Sequence, residues 1–157
     1  MFNVLLIESD ADICRRYRRQ LFGLGYLVFT VASHEQALTT MVSRKIDAVV
    51  VEPLLPDCGG LELAEEILVQ VGRLPIIVNT NAESYRYDFR SWVADAFISK
   101  SDDCRELAET LAGFEAVIWA RRRQNERRNR PVPEAVASSR EREFAGGLQI
   151  AGAFATA

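Results

Sequence analysis

Acidic side chains, a hydroxyl and a lysine directly follow short apolar runs at four places in the chain. These residues are Glu8, Ser9 and Asp10 after the first run, Glu52 after the third, Thr80 after the fourth and Lys100 after the fifth. Carboxylates grouped in this way favour a divalent hard cation such as Mg²⁺. A hydroxyl and a lysine beside them would hold the oxygens of a phosphoryl group. The residue types therefore predict metal or phosphoryl chemistry, provided that the fold brings the four places together.

The apolar runs alternate with amphipathic stretches and predict five strand–helix repeats. The predicted strands are Phe2–Ile7, Tyr26–Val31, Ala48–Val51, Pro75–Val78 and Phe97–Ser99. The predicted helices cover residues 10–22, a stretch capped by Ser33, residues 61–71, residues 83–93 and a last stretch capped by Ser101. Such repeats form a doubly wound α/β fold, with a parallel sheet between helices on both faces. Function in these sheets collects at the carboxyl ends of the central strands, where the polar residues above stand.

Composition predicts one compact domain followed by a basic extension. The chain has 157 residues, of which 48% are hydrophobic, and a formal net charge of −3. Residues 1–120 hold 11 Lys/Arg against 18 Asp/Glu, a net −7, whereas residues 121–157 hold 8 Arg against 4 Glu, a net +4. We therefore expect an acidic domain over residues 1–120 and a basic helix extension with a disordered tail over residues 121–157. The acidic balance argues against a protein that coats nucleic acid.

Several function classes are disfavoured by what the sequence lacks. Its three cysteines include no CxxC pair, which favours a reducing cytoplasm. The single His34 argues against a His-rich metal site. No apolar run approaches the roughly 20 residues that a membrane span needs. No GxGxxG or phosphate loop follows Ile7, so a nucleotide or flavin cofactor is not expected.

Four ordered motifs make residues 3–120 similar to a receiver domain of bacterial two-component signalling. The motifs are VLLIESD at 4–10, DAVVVEPLLPDCGG at 47–60, PIIVNT at 75–80 and ADAFISK at 94–100. The resemblance implies a flavodoxin-like five-stranded parallel sheet of order 2-1-3-4-5 and a role in phosphorelay signal transduction. It also implies that Thr80 and Phe97 are the switch pair and that Lys100 is the lysine that pairs with the phosphoryl group.

The chain differs from this family at the phosphoacceptor position and at the acidic pair. Glu52 stands at the position of the phosphoaccepting aspartate, and Glu8 and Ser9 stand at the acidic pair. In family members that bind magnesium, the second acid and the acceptor carboxylate contact the ion. A serine hydroxyl is a much weaker ligand than a carboxylate, so we expect no cofactor, with Mg²⁺ held by Glu8, Glu52 and the Leu54 backbone as a weaker alternative.

Two further residues near the acidic positions, and one that follows the lysine, bear on the predicted site. Leu54 would still offer its backbone carbonyl beside Glu8 and Glu52. Asp10 is more consistent with capping the first helix than with binding metal. Ser101 also replaces the proline that usually follows the family lysine.

Glu52 itself has two interpretations. Its longer side chain reaches Lys100 and Thr80 and imitates an aspartyl phosphate, or it forms a simple ion pair with Lys100. In both cases the sequence predicts an atypical receiver, or pseudo-receiver, that is not an enzyme and acts by phosphorylation-independent protein–protein interaction. The alternatives are a receiver still phosphorylated by a histidine kinase and, more weakly, a small-ligand or redox module on a flavodoxin-like sheet.

Aromatic residues give a candidate partner surface. Tyr85, Phe89 and Trp92 lie at i, i+4 and i+7 of the predicted fourth helix, where they form either core or an interface. In receivers, the surface of the fourth helix, fifth strand and fifth helix commonly pairs with a second receiver, which would give a homodimer. Other partners implied by the family are a histidine kinase and an output protein.

The basic run of residues 121–130 also has more than one interpretation. Its six arginines suit a solvated helix end, a docking tail or contacts with nucleic-acid phosphates. We favour the solvated helix end, and we do not expect nucleic acid or a membrane as partners.

Overall fold

The computed structural model describes residues 1–88 and 92–128, which contain a five-stranded parallel sheet in the order β2-β1-β3-β4-β5. The strands are β1 (Phe2–Ile7), β2 (Tyr26–Val31), β3 (Ala48–Val51), β4 (Ile76–Asn79) and β5 (Ala96–Ile98). The helices are α1 (Ala11–Gly23), α2 (His34–Ser43), α3 (Gly60–Val71) and α4 (Arg105–Arg128), with a short 3₁₀ helix at Glu83–Tyr87. The predicted doubly wound fold and its strand order are confirmed.

The sheet has a hydrophobic core on each face, because alternate residues of a strand point to opposite sides. On one side, Val4 and Leu6 of β1 pack with Tyr17 of α1 and Leu107 of α4. On the other side, neighbouring strand residues such as Leu5 and Ile7 pack with α2 and α3. The central strands are therefore covered on both faces, and polar groups that belong to them are accessible only at their ends.

The predicted fourth helix is wrong. The structure has a 3₁₀ helix that ends at Tyr87, and Asp88 follows in an extended conformation. Trp92 lies beyond that break and is 69% exposed, whereas Tyr85 is half-buried against the core. Phe89, the third member of the predicted stripe, lies outside the described residues. Aromatic residues at i, i+4 and i+7 are typical of an α-helix, but the stability of a short helix depends mainly on tertiary packing.

The predicted start of the last helix is also wrong. Ser101 does not cap it, since α4 begins at Arg105 and the Ser101 hydroxyl donates to the carbonyl of Asp103 instead. Asp102 and Asp103 thus belong to a loop and not to the first helical turn. This loop connects the site to α4.

Internal contacts divide the chain into Met1–Ile118 and Trp119–Ala157. The first unit contains the sheet and both cores. In the second unit, residues 119–128 are helical, and the Arg122 guanidinium lies 5.4 Å from the centre of the Trp119 ring. Among the described helices, none is long and apolar enough to span a bilayer.

Candidate functional site

The register of the sheet places the polar residues at one edge. Ile7 pairs with Val51, and Val51 pairs with Val78, so the residues that follow these strands emerge side by side. The backbone amide of Glu52 donates to the carbonyl of Ile7 at 3.0 Å, and the amide of Thr80 donates to that of Ile98 at 3.0 Å. Parallel pairing therefore continues just past the strand ends.

Lys100 joins two buried carboxylates at this edge. Its Nζ lies 2.6 Å from Glu8 Oε2 and 2.5 Å from Glu52 Oε2. Glu8 is 3% exposed and Glu52 is 7% exposed. Partial burial lowers the pKa of Lys100, but the hydrogen bonds and charges of Glu52 and Glu8 outweigh this effect and keep that pKa above its ordinary value. The ammonium is therefore the counter-ion of both glutamates.

The second oxygen of Glu52 is held by two donors. Thr80 Oγ1 donates to Glu52 Oε1 at 3.1 Å, and the backbone amide of Leu54 donates to the same oxygen at 3.0 Å. Thr80 is buried, and its hydroxyl also accepts from the amide of Ala82 at 3.2 Å. Both oxygens of Glu52 are consequently engaged, one with the lysine and the other with the threonine.

The second oxygen of Glu8 is held by the start of α1. The amide of Asp10 donates to Glu8 Oε1 at 2.9 Å. Asp10 itself caps α1, because its carboxylate accepts from the amides of Asp12 and Ile13 at 2.8 and 3.1 Å. Those backbone hydrogen bonds, from Ile13 first and Asp12 second, lower the pKa of Asp10. Ser9, between Glu8 and Asp10, is exposed.

Cys14 approaches the same turn from α1. Its Sγ lies 3.4 Å from the Glu8 carbonyl oxygen, and the thiol is half-buried. Burial, followed by the negative charges of Glu8 and Asp10, raises the pKa of Cys14 to about 11. The thiol is therefore protonated at neutral pH and is a poor nucleophile.

The donor set does not fit a divalent cation. Mg²⁺ requires octahedral coordination, with carboxylates and waters among its oxygen ligands. Here the carboxylates of Glu8 and Glu52 are both paired with the Lys100 ammonium, which would repel a second cation. Asp10 uses its carboxylate on α1, and the neutral Ser9 hydroxyl adds no charge. Within residues 1–88 and 92–128, no three His, Cys, Asp or Glu side chains are grouped to hold a metal.

Two of the remaining predicted site residues, Phe97 and Tyr85, pack against the hydrophobic core. Phe97, on β5, is half-buried and packs against the core formed with α2 and α3. Tyr85 packs against the same core, and exposed Trp92 follows the gap in the described residues. The structure thus brings Glu8, Glu52, Thr80 and Lys100 together, whereas among the described aromatic residues Tyr85 and Phe97 pack against the core and Trp92 is exposed.

Gly60 is a site residue that sequence reasoning placed only in a loop motif. Its amide donates to the carbonyl of Pro53 at 2.9 Å. A Cβ added at Gly60 would collide with the carbonyl oxygen of Glu52 and lie 2.9 Å from the Cα of Pro53. The late glycine of the motif was the available signal, since close backbone approach is one reason for a glycine.

We expect Gly60→Ala to destabilise the protein by about 2 kcal/mol or more, because rigid backbone must move to admit the methyl group. Gly59→Ala is the matched control, since a Cβ there meets only the flexible carboxylate of Glu62. Urea denaturation of both variants measures the difference. Equal stabilities would show that the Glu52 backbone is not held as described.

Comparison with known proteins agrees with the fold. The sequence profile of the "Response regulator receiver domain" family matches residues 4–112. Response regulator ArlR of Staphylococcus epidermidis is 27% identical over 119 residues, covering 75% of this chain and 53% of ArlR. The KDP operon transcriptional regulatory protein KdpE of Escherichia coli is 32% identical over 113 residues, covering 71% of this chain and 50% of KdpE. The chain spans about half the length of these relatives.

A solved structure gives the same result. Response regulator protein TrrA from Thermotoga maritima, in complex with Mg(2+)-BeF, matches with a TM-score of 0.69 and 31% identity. The match covers 73% of this chain and 99% of TrrA. A second structure shows TrrA in complex with histidine kinase ThkA, and it matches with a TM-score of 0.68 and 98% coverage of its chain.

A parallel sheet of order 2-1-3-4-5 with a carboxylate–threonine–lysine cluster at its edge is the arrangement expected of a two-component signalling receiver. The profile match over residues 4–112 makes the family explicit: the chain belongs to the response regulator receiver domain family. Domains of this family are generally non-enzymatic signalling modules.

Proposed function

We propose that this receiver signals by binding a protein partner, independently of phosphorylation. The observation that carries the proposal is the engagement of Glu52, which contacts Lys100 with one oxygen and Thr80 with the other. In the family, the aspartate accepts the phosphoryl group, the lysine pairs with that group, and the threonine is the switch residue. Glu52 therefore already binds the Lys100 ammonium and the Thr80 hydroxyl before any phosphoryl transfer.

The geometry also supports the more specific interpretation of Glu52, in which it imitates an aspartyl phosphate. A simple ion pair would need only Lys100. Here the Thr80 hydroxyl and the Leu54 amide also turn towards the glutamate carboxylate. We propose that this set of contacts holds Thr80 in a phosphorylated-like position.

Phosphoryl transfer to Glu52 is disfavoured for two independent reasons. The extra methylene places the carboxylate differently from that of an aspartate, and misplacement by about 1 Å can reduce a positioned reaction roughly a hundredfold. The carboxylate oxygens are also buried and already hydrogen-bonded, so they are poor nucleophiles.

We further propose that the receiver works without magnesium. TrrA binds Mg(2+)-BeF in its crystal structure. In this chain Lys100 is paired with both Glu8 and Glu52, and Ser9 supplies a neutral hydroxyl at the remaining acidic position.

The partner that we propose is a protein of a two-component pathway. TrrA forms a complex with the histidine kinase ThkA, so a kinase is one candidate. A second receiver, including another copy of this chain, or an output protein are the others. We assign the receiver body to residues 1–120 and treat residues 121–157 as a basic extension of it.

Incubation with a small-molecule phosphodonor and Mg²⁺, followed by intact-mass measurement, tests the proposal. We expect the mass of the wild-type protein to stay unchanged. Glu52→Gln is the matched control, because it keeps the shape of the side chain and removes the carboxylate. A mass gain of one phosphoryl group in the wild type that is lost in Glu52→Gln would identify a phosphorylated receiver and overturn the proposal.

A further inference from the structure

Side chains of α1 bind the loop that follows Lys100. Tyr17 Oη accepts a hydrogen bond from the amide of Ser101 at 3.1 Å. Gln20 Oε1 accepts from the amide of Cys104 at 2.9 Å, and Gln20 Nε2 donates to the carbonyl of Asp102 at 3.1 Å. The loop of residues 101–104 belongs to no helix or strand, so α1 supplies partners that regular structure does not.

We propose that Tyr17 and Gln20 are positioning residues that hold Lys100 between Glu8 and Glu52. This inference adds residues to the site on which the proposed function rests. Neither residue touches the glutamates in the contacts described above, so both act through the backbone of the loop.

Tyr17 acts on the peptide bond of Lys100 itself. The Ser101 amide lies in one rigid plane with the carbonyl and the Cα of Lys100, because a peptide bond is planar. A hydrogen bond to that amide therefore fixes the base of the Lys100 side chain. Tyr17 is 1% exposed, and burial of its hydroxyl would be unfavourable without a partner. Phenylalanine would fill the same space, so the hydroxyl is explained by this contact.

Gln20 fixes the other end of the loop. Its amide group bonds to both Asp102 and Cys104, and Cys104 directly precedes α4. Arg16 adds an ion pair with the Asp102 carboxylate. The loop is thus held at Ser101 by Tyr17 and at residues 102–104 by Gln20 and Arg16.

Ser101 makes the Tyr17 contact possible. The family usually has proline after the lysine, and proline has no amide hydrogen to donate. Here the serine amide is free to donate, and Tyr17 accepts from it. The chain therefore restrains this backbone by a hydrogen bond to α1 where a proline ring would restrain it covalently.

The titration of Lys100 can be measured directly, because Lys45 and Lys100 are the only lysines in the sequence. NMR correlation of Cε with Nζ follows the titration of each one in the folded protein, and exposed Lys45 serves as the internal reference. In Tyr17→Phe we expect Lys100 to titrate at lower pH, with its acid dissociation constant raised about threefold to tenfold, the factor that a typical hydrogen bond contributes. Gln20→Met should shift Lys100 in the same direction, whereas Lys45 should not change.

Tyr26→Phe is the matched control, because it removes a hydroxyl from another buried tyrosine, on β2. It should leave the Lys100 titration unchanged. The proposal is overturned if Lys100 titrates as in the wild type in both folded α1 variants, or if Tyr26→Phe shifts it equally. The measurement uses no phosphodonor, so it can fail while the proposed function stands, and the reverse also holds.

Discussion

Replacing Lys100 by methionine is expected to reduce the free energy of unfolding by about 3 kcal/mol or more at pH 7.5. The variant keeps an unbranched apolar side chain and removes the ammonium that pairs with Glu8 and Glu52. Two carboxylates would then remain buried side by side without a counter-ion, and removal of one partner from a buried ionic cluster is strongly destabilising. Urea denaturation monitored by circular dichroism measures the loss.

Lys45→Met is the matched control for this substitution. Lys45 is exposed, and its carbonyl, not its side chain, accepts the hydrogen bond from Asn3. We expect a change within about 0.5 kcal/mol there, as for most surface substitutions. Similar losses in the two variants would mean that the Glu8–Lys100–Glu52 cluster contributes little to stability.

The pH dependence gives this first prediction a second check. In Lys100→Met, protonation of a carboxylate relieves the repulsion, so the destabilisation should be smaller at pH 5 than at pH 7.5. In the wild type the pKa of Lys100 is raised. Its stabilising contribution is therefore complete below the ordinary lysine pKa and is lost only as the pH rises above about 10.5. A wild-type loss near neutrality would not come from Lys100.

Introducing two aspartates is expected to raise the rate of phosphorylation far above that of the wild-type chain. The variant combines Ser9→Asp with Glu52→Asp. The first substitution adds a carboxylate where only a hydroxyl stands, and the second shortens the acceptor and withdraws it from Lys100. We expect phosphoryl incorporation at least about a hundredfold faster than in the wild type, given the sensitivity of positioned reactions to displacements near 1 Å.

The rate of mass gain with a phosphodonor and Mg²⁺ measures this change. Ser9→Asp combined with Glu52→Gln is the control, because it has the restored acidic pair but no carboxylate to accept the phosphoryl group. Magnesium affinity, measured by calorimetry, should also rise in the aspartate variant relative to the wild type. If the aspartate variant gains neither mass nor metal affinity, Ser9 and Glu52 are not what prevents phosphorylation.

The alternation of apolar and amphipathic runs predicted the doubly wound fold, whereas the strand order was implied by the family resemblance. Strands such as Ala48–Val51 are continuous β-branched runs because both faces of a central parallel strand are buried. The same logic predicted that the polar residues would lie together, since parallel strands all end at one edge. Glu8, Glu52, Thr80 and Lys100 could therefore be named as neighbours before any distance was known.

Local elements of marginal stability were predicted less well. The stretch after β4 has aromatic residues at helical spacing, yet it forms a 3₁₀ helix that ends at Tyr87. Ser101 was predicted to cap a helix that begins four residues later, at Arg105. In both places several local conformations are close in energy, and tertiary contacts select among them.

The amino-acid sequence alone thus determined the sheet and the polar residues at the carboxyl ends of its strands. The tertiary structure decided which of them touch. Whether Glu52 reaches Thr80 as well as Lys100 depends on side-chain conformation across three strands. The contacts of Tyr17 and Gln20 with the loop after Lys100 join residues more than 80 positions apart. Periodicity places a tyrosine in a core, but only packing shows what its hydroxyl binds.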